Sequence, residues 1–333
     1  MKALLSVLSG GPETLKLTDV PAPVPADDEV VIRVATCGVN YPDVLIIEDR
    51  YQEKPPRPFA PGGEVAGVIE SIGAKVTGFA PGERVVGLSF RGGMAEKIAV
   101  PAAMTIKLPA DAPFAESASL LATYSTSYHA LVDRGRVQAG ERLLVLGAAG
   151  GVGLAAVELG RVLGAEVVGA VSSEEKAAVV RKAGARQVVI YPTADVMGDK
   201  QRELTKSFRA AFGGENADVV YDPVGGDYAE AALRATGWGG RYLVVGFVAG
   251  IPRIPLNLPL LKGCAIVGVL MGAHAARDPA GFRKNADALL ALHRAGKISP
   301  LISARFPLAR GGEAIATLRD RKAVGKVVVT VGD

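Results

Sequence analysis

Cysteine is scarce in this chain: only Cys37 and Cys264 occur among 333 residues. Two cannot build a disulfide framework or a four-cysteine zinc lobe, and such low usage fits a reducing compartment, so a cytoplasmic location is expected. Histidine is almost as rare, with His129, His274 and His293 only, and none is spaced with a cysteine as a zinc site requires. Long apolar runs are missing too. The N-terminal stretch MKALLSVLSGGPETLKL is broken by Ser and Gly, so neither a secretory signal nor a membrane span is expected. No block of like charge appears: 38 basic and 34 acidic residues are interspersed for a net charge of +4. That pattern implies no nucleic-acid groove, although a pI near 9.0 mildly favours anionic ligands. Aromatics amount to 5%, whereas glycine supplies 41 residues. With 49% hydrophobic and 22% charged residues the composition is that of a soluble globular protein, long enough for two domains at roughly 150 residues each.

Two rhythms divide the sequence. Residues 1–118 hold short Val/Ile-rich runs between Gly and Pro, among them EVVIRVATCGV, EVAGVIESIG, ERVVGLSF and AEKIAV, which predicts a β-rich, barrel-like domain. ESASLLATYSTSYHALVDRG reads as a helical stretch. From Glu141 onward apolar strands alternate with amphipathic helices: RLLVLG, EVVGAV, QVVIY, DVVYD and RYLVVG are strands, with helices at 154–164, EEKAAVVRKAG, 200–212 and 227–235. Continuous apolar strands spaced by helices predict a doubly wound parallel sheet over 119–272. A helix at 279–295, the strand ISARFPL, a helix at GGEAIATLRD and the strand KVVVTV follow. Residues from about 273 to 333 are expected to return and complete the first domain. The fold class is therefore α/β with a second, β-barrel domain.

The strongest local signal is LLVLGAAGGVGLAAVELG, an apolar strand running through glycines into a helix. Gly147, Gly150 and Gly153 have the spacing G-x-x-G-x-x-G with Gly151 inside, and Ala148 fills the first position of the stricter dinucleotide fingerprint. Glycines let backbone turn tightly and approach a pyrophosphate whose charge sits at a helix start. Gly147, Ala148, Gly150, Gly151, Val152 and Gly153 are accordingly cofactor-binding candidates. An NAD site usually carries an acidic residue at the end of the second strand, but here EVVGAV runs into Ser172 and Ser173, with Lys176 nearby. Hydroxyls and an ammonium suit a 2′-phosphate, so NADPH is favoured. Two competing features remain: Ser172 as a helix cap in a box with Glu175, and Glu174 as a ribose contact.

These features, with CGVNYPD (37–43), PGGEVAGVIESIGAKVTGFAPGERVVG (61–87), TSYHAL (126–131), LGAAGGVG (146–153), DVVYDPVGG (218–226) and GKVVV (325–329), make the chain resemble the medium-chain dehydrogenase/reductase superfamily over essentially its whole length. Within it, the resemblance is to the zinc-free quinone oxidoreductase, or zeta-crystallin-like, branch. It implies a GroES-like β-barrel catalytic domain beside a Rossmann domain. Zinc-dependent members carry Cys where this chain has Asn40, and Gly-His-Glu where it has Gly62, Gly63 and Glu64. Cys37 lies three residues early and reads as a small buried hydrophobe. No metal is therefore expected, and the implied reaction is hydride transfer from NADPH to a quinone or an α,β-unsaturated carbonyl.

By the same resemblance Asn40, Asp43, Tyr51 and Thr126 border nicotinamide and substrate. Tyr191 follows the third strand near the 2′-phosphate, Gly246 and Phe247 pass the nicotinamide, and Lys326 approaches the cofactor. Plainer roles compete: a buried structural partner for Asp43, a loop aromatic for Tyr51, a strand-end aromatic for Tyr191 and an exposed strand-edge lysine for Lys326. His129 reads as packed core and Asp222 as a turn residue. An enoyl-thioester reductase and a non-catalytic NADPH-binding structural or RNA-associated protein stay open as alternatives. A homodimer is implied through the strand AIVGVLMG (265–272), unless that run is an ordinary buried strand.

Overall fold

Glycine and proline interrupt the first hundred residues too often for long helices, and strands result. In the computed structural model, which describes residues 1–193 and 196–332, these are β1 (Lys2–Leu5), β2 (Lys16–Asp19), β3 (Glu29–Val39), β4 (Glu64–Ile72), β5 (Arg84–Leu88), β6 (Lys97–Pro101) and β7 (Thr105–Lys107). One short helix, α1 (Tyr41–Ile47), intervenes after β3. The stretch read as one helix comes in pieces: α2 (Phe114–Ser117), α3 (Leu121–Tyr128) and a π-helical segment at His129–Arg134. Alternation then sets in with β8 (Arg142–Val145), α4 (Gly151–Val162), β9 (Glu166–Val171), α5 (Glu174–Ala183), β10 (Gln187–Ile190) and α6 (Asp199–Ala210). It continues with β11 (Ala217–Asp222), α7 (Tyr228–Ala235), β12 (Thr236–Val244), α8 (Asn257–Lys262) and β13 (Ala265–Gly268). The chain ends with α9 (Met271–Arg277), α10 (Pro279–Arg294), β14 (Ile302–Pro307), α11 (Gly311–Arg319) and β15 (Lys326–Thr330).

Two compact units result, residues 1–122, 277–286 and 299–333 forming one, and residues 123–276 and 287–298 the other. In the first unit a sheet runs in the order β14-β15-β3-β4-β5-β7, with β6 also pairing with β3. The eleven-residue β3 is its spine: its first half pairs with β6 and its last residues with β15, while β4 lines its length. Val30, Ile32, Val34, Ile69, Val85, Val327 and Val329 meet in the core beneath α1 and α11. This is the GroES-like β-rich fold.

The second unit holds a parallel sheet in the order β10-β9-β8-β11-β12-β13. That is the Rossmann order, two mononucleotide halves meeting at β8 and β11. Leu143, Leu144, Val145, Val168, Val220 and Tyr221 are buried, as a sheet covered on both faces demands. Two glycines set the first crossover. Gly147 has φ +56°, a left-handed turn that favours glycine. Gly153 lies so close to the strand end that a Cβ there would come 2.2 Å from the Gly147 carbonyl oxygen and 2.8 Å from Ala148 Cα. At Gly150, by contrast, a Cβ would meet only the Gly147 oxygen, at 3.4 Å. Among the described residues no helix is long and apolar enough to cross a membrane.

These spacings predict opposite outcomes for two conservative substitutions. Gly153→Ala should lower the thermal midpoint by several degrees, because backbone rather than a flexible side chain must move. Gly150→Ala should leave it within about a degree. Differential scanning calorimetry of the two variants checks the pair.

Candidate active site

The carboxyl ends of β8, β9, β10, β11 and β12 lie along one edge of the parallel sheet, and this is where open α/β sheets bind ligands. Gly147, Ala148, Gly150, Gly151, Val152 and Gly153 occupy the turn from β8 into α4. Ala148 is buried, its amide donating to the Ala170 carbonyl at 3.1 Å. The Val152 carbonyl accepts from Ser127 Oγ at 2.8 Å, and Ser127 also bonds the Tyr221 hydroxyl at 2.8 Å. No side chain caps α4, whose N-cap is Gly150, so its first-turn amides have neither an intrahelical nor a side-chain acceptor. With only the Gly147 oxygen near a Cβ at Gly150, they form a cradle that fits a pyrophosphate.

After β9, Ser173 is the N-cap of α5, its Oγ accepting from the Lys176 amide at 3.3 Å. The cap is thus Ser173 rather than Ser172, and since the third helical residue is then Lys176, no box with Glu175 forms. Ser172 is left beside the Lys176 ammonium, 3.3 Å from Nζ to Oγ, a cation and a hydroxyl together at the strand end. That pair fits a 2′-phosphate. Tyr191 follows β10, its amide bonding the Val171 carbonyl at 2.9 Å and its ring tilted against Tyr228 at 4.8 Å.

Gly246 and Phe247 follow β12, in a loop laced to the one after β11. The Gly246 amide donates to the Asp222 carbonyl at 3.3 Å, and the Ala249 amide to the Val224 carbonyl at 2.7 Å. Phe247 is partly exposed. Asp222 is a turn residue, as expected, and it also anchors the loop. Buried, it accepts from the Val224 and Gly225 amides at 2.7 and 2.9 Å and from the Tyr242 hydroxyl, and burial raises its carboxyl above the usual range. Its Asp-Pro-x-Gly-Gly context, a carboxylate two and three residues before the amides it binds, signals this turn. Thr126 lies half-buried on α3.

In the first unit Asn40 and Lys326 gather around one carboxylate. Glu64, at the start of β4, is fully buried and meets the equally buried Lys326 ammonium at 3.0 Å. Lys326 Nζ also donates to Asn40 Oδ1 at 2.7 Å and to the Val39 carbonyl at 3.3 Å. The Asn40 amide nitrogen returns to Glu64 Oε2 at 3.2 Å, while Glu64 Oε1 accepts from the Ala122 amide at 2.8 Å. The exposed-lysine expectation is therefore wrong. Lys326 spends its three protons on groups of the first unit, because a buried ammonium must be paired and fully hydrogen-bonded. Asn40, whose two amide polar atoms are both engaged here, serves as part of this lattice.

Asp43 stands next to it, buried at the start of α1, accepting from the Asn40 amide and from the Gly62 amide at 2.8 Å each. Burial raises its carboxyl to about 6, against the opposing pull of those two amides. Cys37 is completely buried beside Gly62, and burial pushes its thiol well up. Tyr51 stacks on Phe90 at 5.6 Å, and burial raises its hydroxyl. Among the described residues none hydrogen-bonds that hydroxyl, which leaves it able to donate to a ligand.

The residues around Glu64 do not suit a zinc ion. Asn40 replaces a thiolate, a side chain at Gly63 would begin 2.6 Å from the Ser89 carbonyl oxygen, and the local cation is Lys326. Elsewhere, His129 is buried as expected, and one ring nitrogen contacts Asp133.

Removing one member of a buried ion pair leaves the other uncompensated and costs about 3–5 kcal/mol. Lys326→Met should therefore destabilise the protein by about that amount in urea unfolding, and the double variant Lys326→Met/Glu64→Gln should recover part of the loss. Asp43 gives a pH signature. Its folded pKa of about 6 lies above the ordinary aspartate value of 3.8, so its contribution is fully present below about pH 4 and is lost as pH rises through 6. The difference between wild-type and Asp43→Asn unfolding free energies, measured from pH 4 to 7, should shrink with rising pH.

Comparison with known proteins agrees with this architecture. A model described as zinc-binding dehydrogenase matches residues 151–290, and one for the alcohol dehydrogenase GroES-like domain matches residues 26–110. The chain is 39% identical over 305 residues to the quinone oxidoreductase-like protein 2 homolog of Nematostella vectensis, covering 90% of this chain and 81% of that one. It is 33% identical to the quinone oxidoreductase of Homo sapiens, over 99% of this chain and 97% of the other. A mycobacterial protein solved in complex with NADPH superposes with a TM-score of 0.92 at 30% identity, over 99% and 100% of the two chains. The chain belongs to the zinc-independent quinone oxidoreductase, or zeta-crystallin-like, family of the medium-chain dehydrogenases/reductases.

Proposed function

We propose that this protein reduces quinones and related electron-poor carbonyl compounds with NADPH, without a catalytic zinc ion. The observation that carries the reading is a pair of features in one chain: an uncapped glycine turn followed by a Ser172–Lys176 pair at the nucleotide edge, and an internal ammonium bound to Glu64 and Asn40. The human relative is called a quinone oxidoreductase, the Nematostella one a quinone oxidoreductase-like protein 2 homolog, and the mycobacterial structure holds NADPH.

In this reading the first-turn amides of α4 hold the pyrophosphate, and Gly150 keeps the approach clear. Ser172, Ser173 and Lys176 receive the 2′-phosphate, with Tyr191, Gly246 and Phe247 as further contacts at the same strand ends. When bound, NADPH supplies a hydride, which quinones and α,β-unsaturated carbonyls accept because the resulting anion is delocalised. The chain then has to orient the acceptor and stabilise that anion. Tyr51 is the best-suited donor of the first unit, because its hydroxyl is not committed elsewhere. Asn40 and Asp43 shape the wall behind it, and Thr126 is assigned to the nicotinamide side.

A homodimer is the proposed assembly, in the cytoplasm. Among the described residues strand β13 pairs with β12 alone; it carries an exposed Ile266 and is preceded by α8, whose Leu260 and Leu261 are also exposed. An apolar open edge of this kind is a template for a second strand. Sedimentation equilibrium should give a dimer, and Ile266→Lys combined with Leu260→Lys should give a monomer; a wild-type monomer at tens of micromolar would refute this assembly.

Steady-state assays with 1,4-benzoquinone, 9,10-phenanthrenequinone and small enones test the activity. NADPH should support turnover far better than NADH. Lys176→Ala should raise KM for NADPH by roughly tenfold or more, as loss of a charged hydrogen bond implies, and change KM for NADH little; Ser172→Asp should narrow the preference by repelling the phosphate. Absence of turnover with every acceptor would sink the proposal.

A further inference from the structure

Two imidazoles and a carboxylate converge in the second unit, on residues outside those assigned above to cofactor and acceptor. His129 and Asp133 belong to the π-helical segment after α3, and His274 to α9. His129 Nδ1 lies 2.7 Å from Asp133 Oδ2, and His274 Nε2 lies 3.9 Å from the same oxygen. The two rings stack at 4.1 Å with planes 10° apart. One ligating atom from each residue falls within 4.8 Å of the others.

A hydrogen bond between His129 and Asp133 explains two of the three groups and leaves the third unexplained. His274 Nε2 is shielded from solvent and has no hydrogen-bond partner among the described residues. A buried ring nitrogen without a partner is costly, and its lone pair is what a metal uses. The backbone adds a second feature. The Gly135 amide reaches back to the Ala130 carbonyl at 2.7 Å, closing a π turn, a rare conformation that occurs often at functional sites.

We propose that His129, Asp133 and His274 bind a divalent ion of the zinc, cobalt or nickel type, with solvent completing the coordination. Two imidazoles and one carboxylate suit these borderline ions rather than magnesium or calcium, which prefer all-oxygen sites. Bonds of about 2.0–2.1 Å around a tetrahedral centre separate ligand atoms by about 3.3 Å. The His129–Asp133 contact therefore opens by roughly half an ångström, and His274 closes by a similar amount. The His274 ring must also turn out of the stack, since two parallel rings cannot both aim a lone pair at one ion. Half-buried on the short α9, that ring is the one with room to turn.

Such an ion is structural and separate from hydride transfer. It joins the segment after α3 to the middle of α9, the helix that follows the edge strand β13, where Arg134 Nε already holds the Gly268 carbonyl at 3.1 Å. Its effect is to fasten the end of the sheet.

The test uses the full-length protein, freed of metal with a chelator and titrated with Co(II). One equivalent per chain should develop the visible absorption of four-coordinate Co(II), be displaced by Zn(II), and be unaffected by excess Mg(II) or Ca(II). His274→Ala and Asp133→Asn should each weaken binding at least tenfold, while His293→Ala and Cys264→Ser leave it unchanged. Zn(II) should raise the wild-type thermal midpoint and not that of His274→Ala. His274→Asn guards against a folding defect, and NMR of the wild-type imidazole nitrogens under Zn(II) needs no variant. Absence of stoichiometric binding, or binding indifferent to His274 and Asp133, overturns the proposal.

Discussion

The first unit is organised around a single buried ion pair. Glu64 and Lys326 lie 3.0 Å apart with almost no exposure, a position that costs several kcal/mol per ion in desolvation and is tolerable only with every lone pair and proton satisfied. Satisfying them recruits β3 through Val39, the start of α1 through Asn40, and the start of α3 through Ala122. One carboxylate thus sets the register of segments remote in sequence, and the side chains around it are fixed before any ligand arrives. Zinc-dependent relatives place a metal's charge in this neighbourhood; here the charge is carried by a lysine of the last strand.

The second unit depends on a different constraint, the close approach of α4 to the end of β8. Only glycine permits it at position 153, where a Cβ would collide with backbone. The consequence is a helix whose first amides point out of the sheet edge, and the remaining cofactor candidates follow from topology, since each lies just beyond a strand of the same parallel sheet. Asp222 fixes the last of these loops by binding the amides of its own turn together with the Tyr242 hydroxyl. Its role belongs to the scaffold that shapes the edge.

Much of this was legible in the residues. Apolar runs spaced by amphipathic helices fixed the parallel sheet, and the glycines after RLLVLG marked the phosphate turn, because periodicity and backbone freedom are local properties. Errors arose where a residue's meaning depends on a distant partner. Lys326 reads as a cofactor contact or an exposed strand-edge lysine, because an isolated ammonium belongs near an anion or in water; Glu64 lies 262 residues away, and no spacing rule connects them. Ser172 and Ser173 are equivalent as letters, and only the backbone of Ser173, extended at φ −157°, made it the cap. The helical stretch before residue 135 broke into α2, α3 and a π segment for the same kind of reason: tertiary bonds such as those of Ser127 to Val152 and Tyr221 settle where each piece sits.

The sequence by itself determined the two folds, the nucleotide turn, the choice of hydroxyls and a lysine over an acid at the second strand, and the loss of the zinc ligands. The parallel sheet, the nucleotide turn and the hydroxyls beside a lysine rest on residue type and short-range order, whereas the GroES-like barrel and the missing zinc ligands rest on the resemblance to the medium-chain dehydrogenases/reductases. The tertiary structure alone decided that Asn40 is engaged by Lys326 and Glu64 while the Tyr51 hydroxyl is not, that Asp43 is a buried carboxyl raised to about 6, and that His129 and His274 stack over one aspartate. The physical reason is that burial and pairing, which set the charge and availability of a polar group, are properties of the neighbours that folding supplies and not of the residue itself.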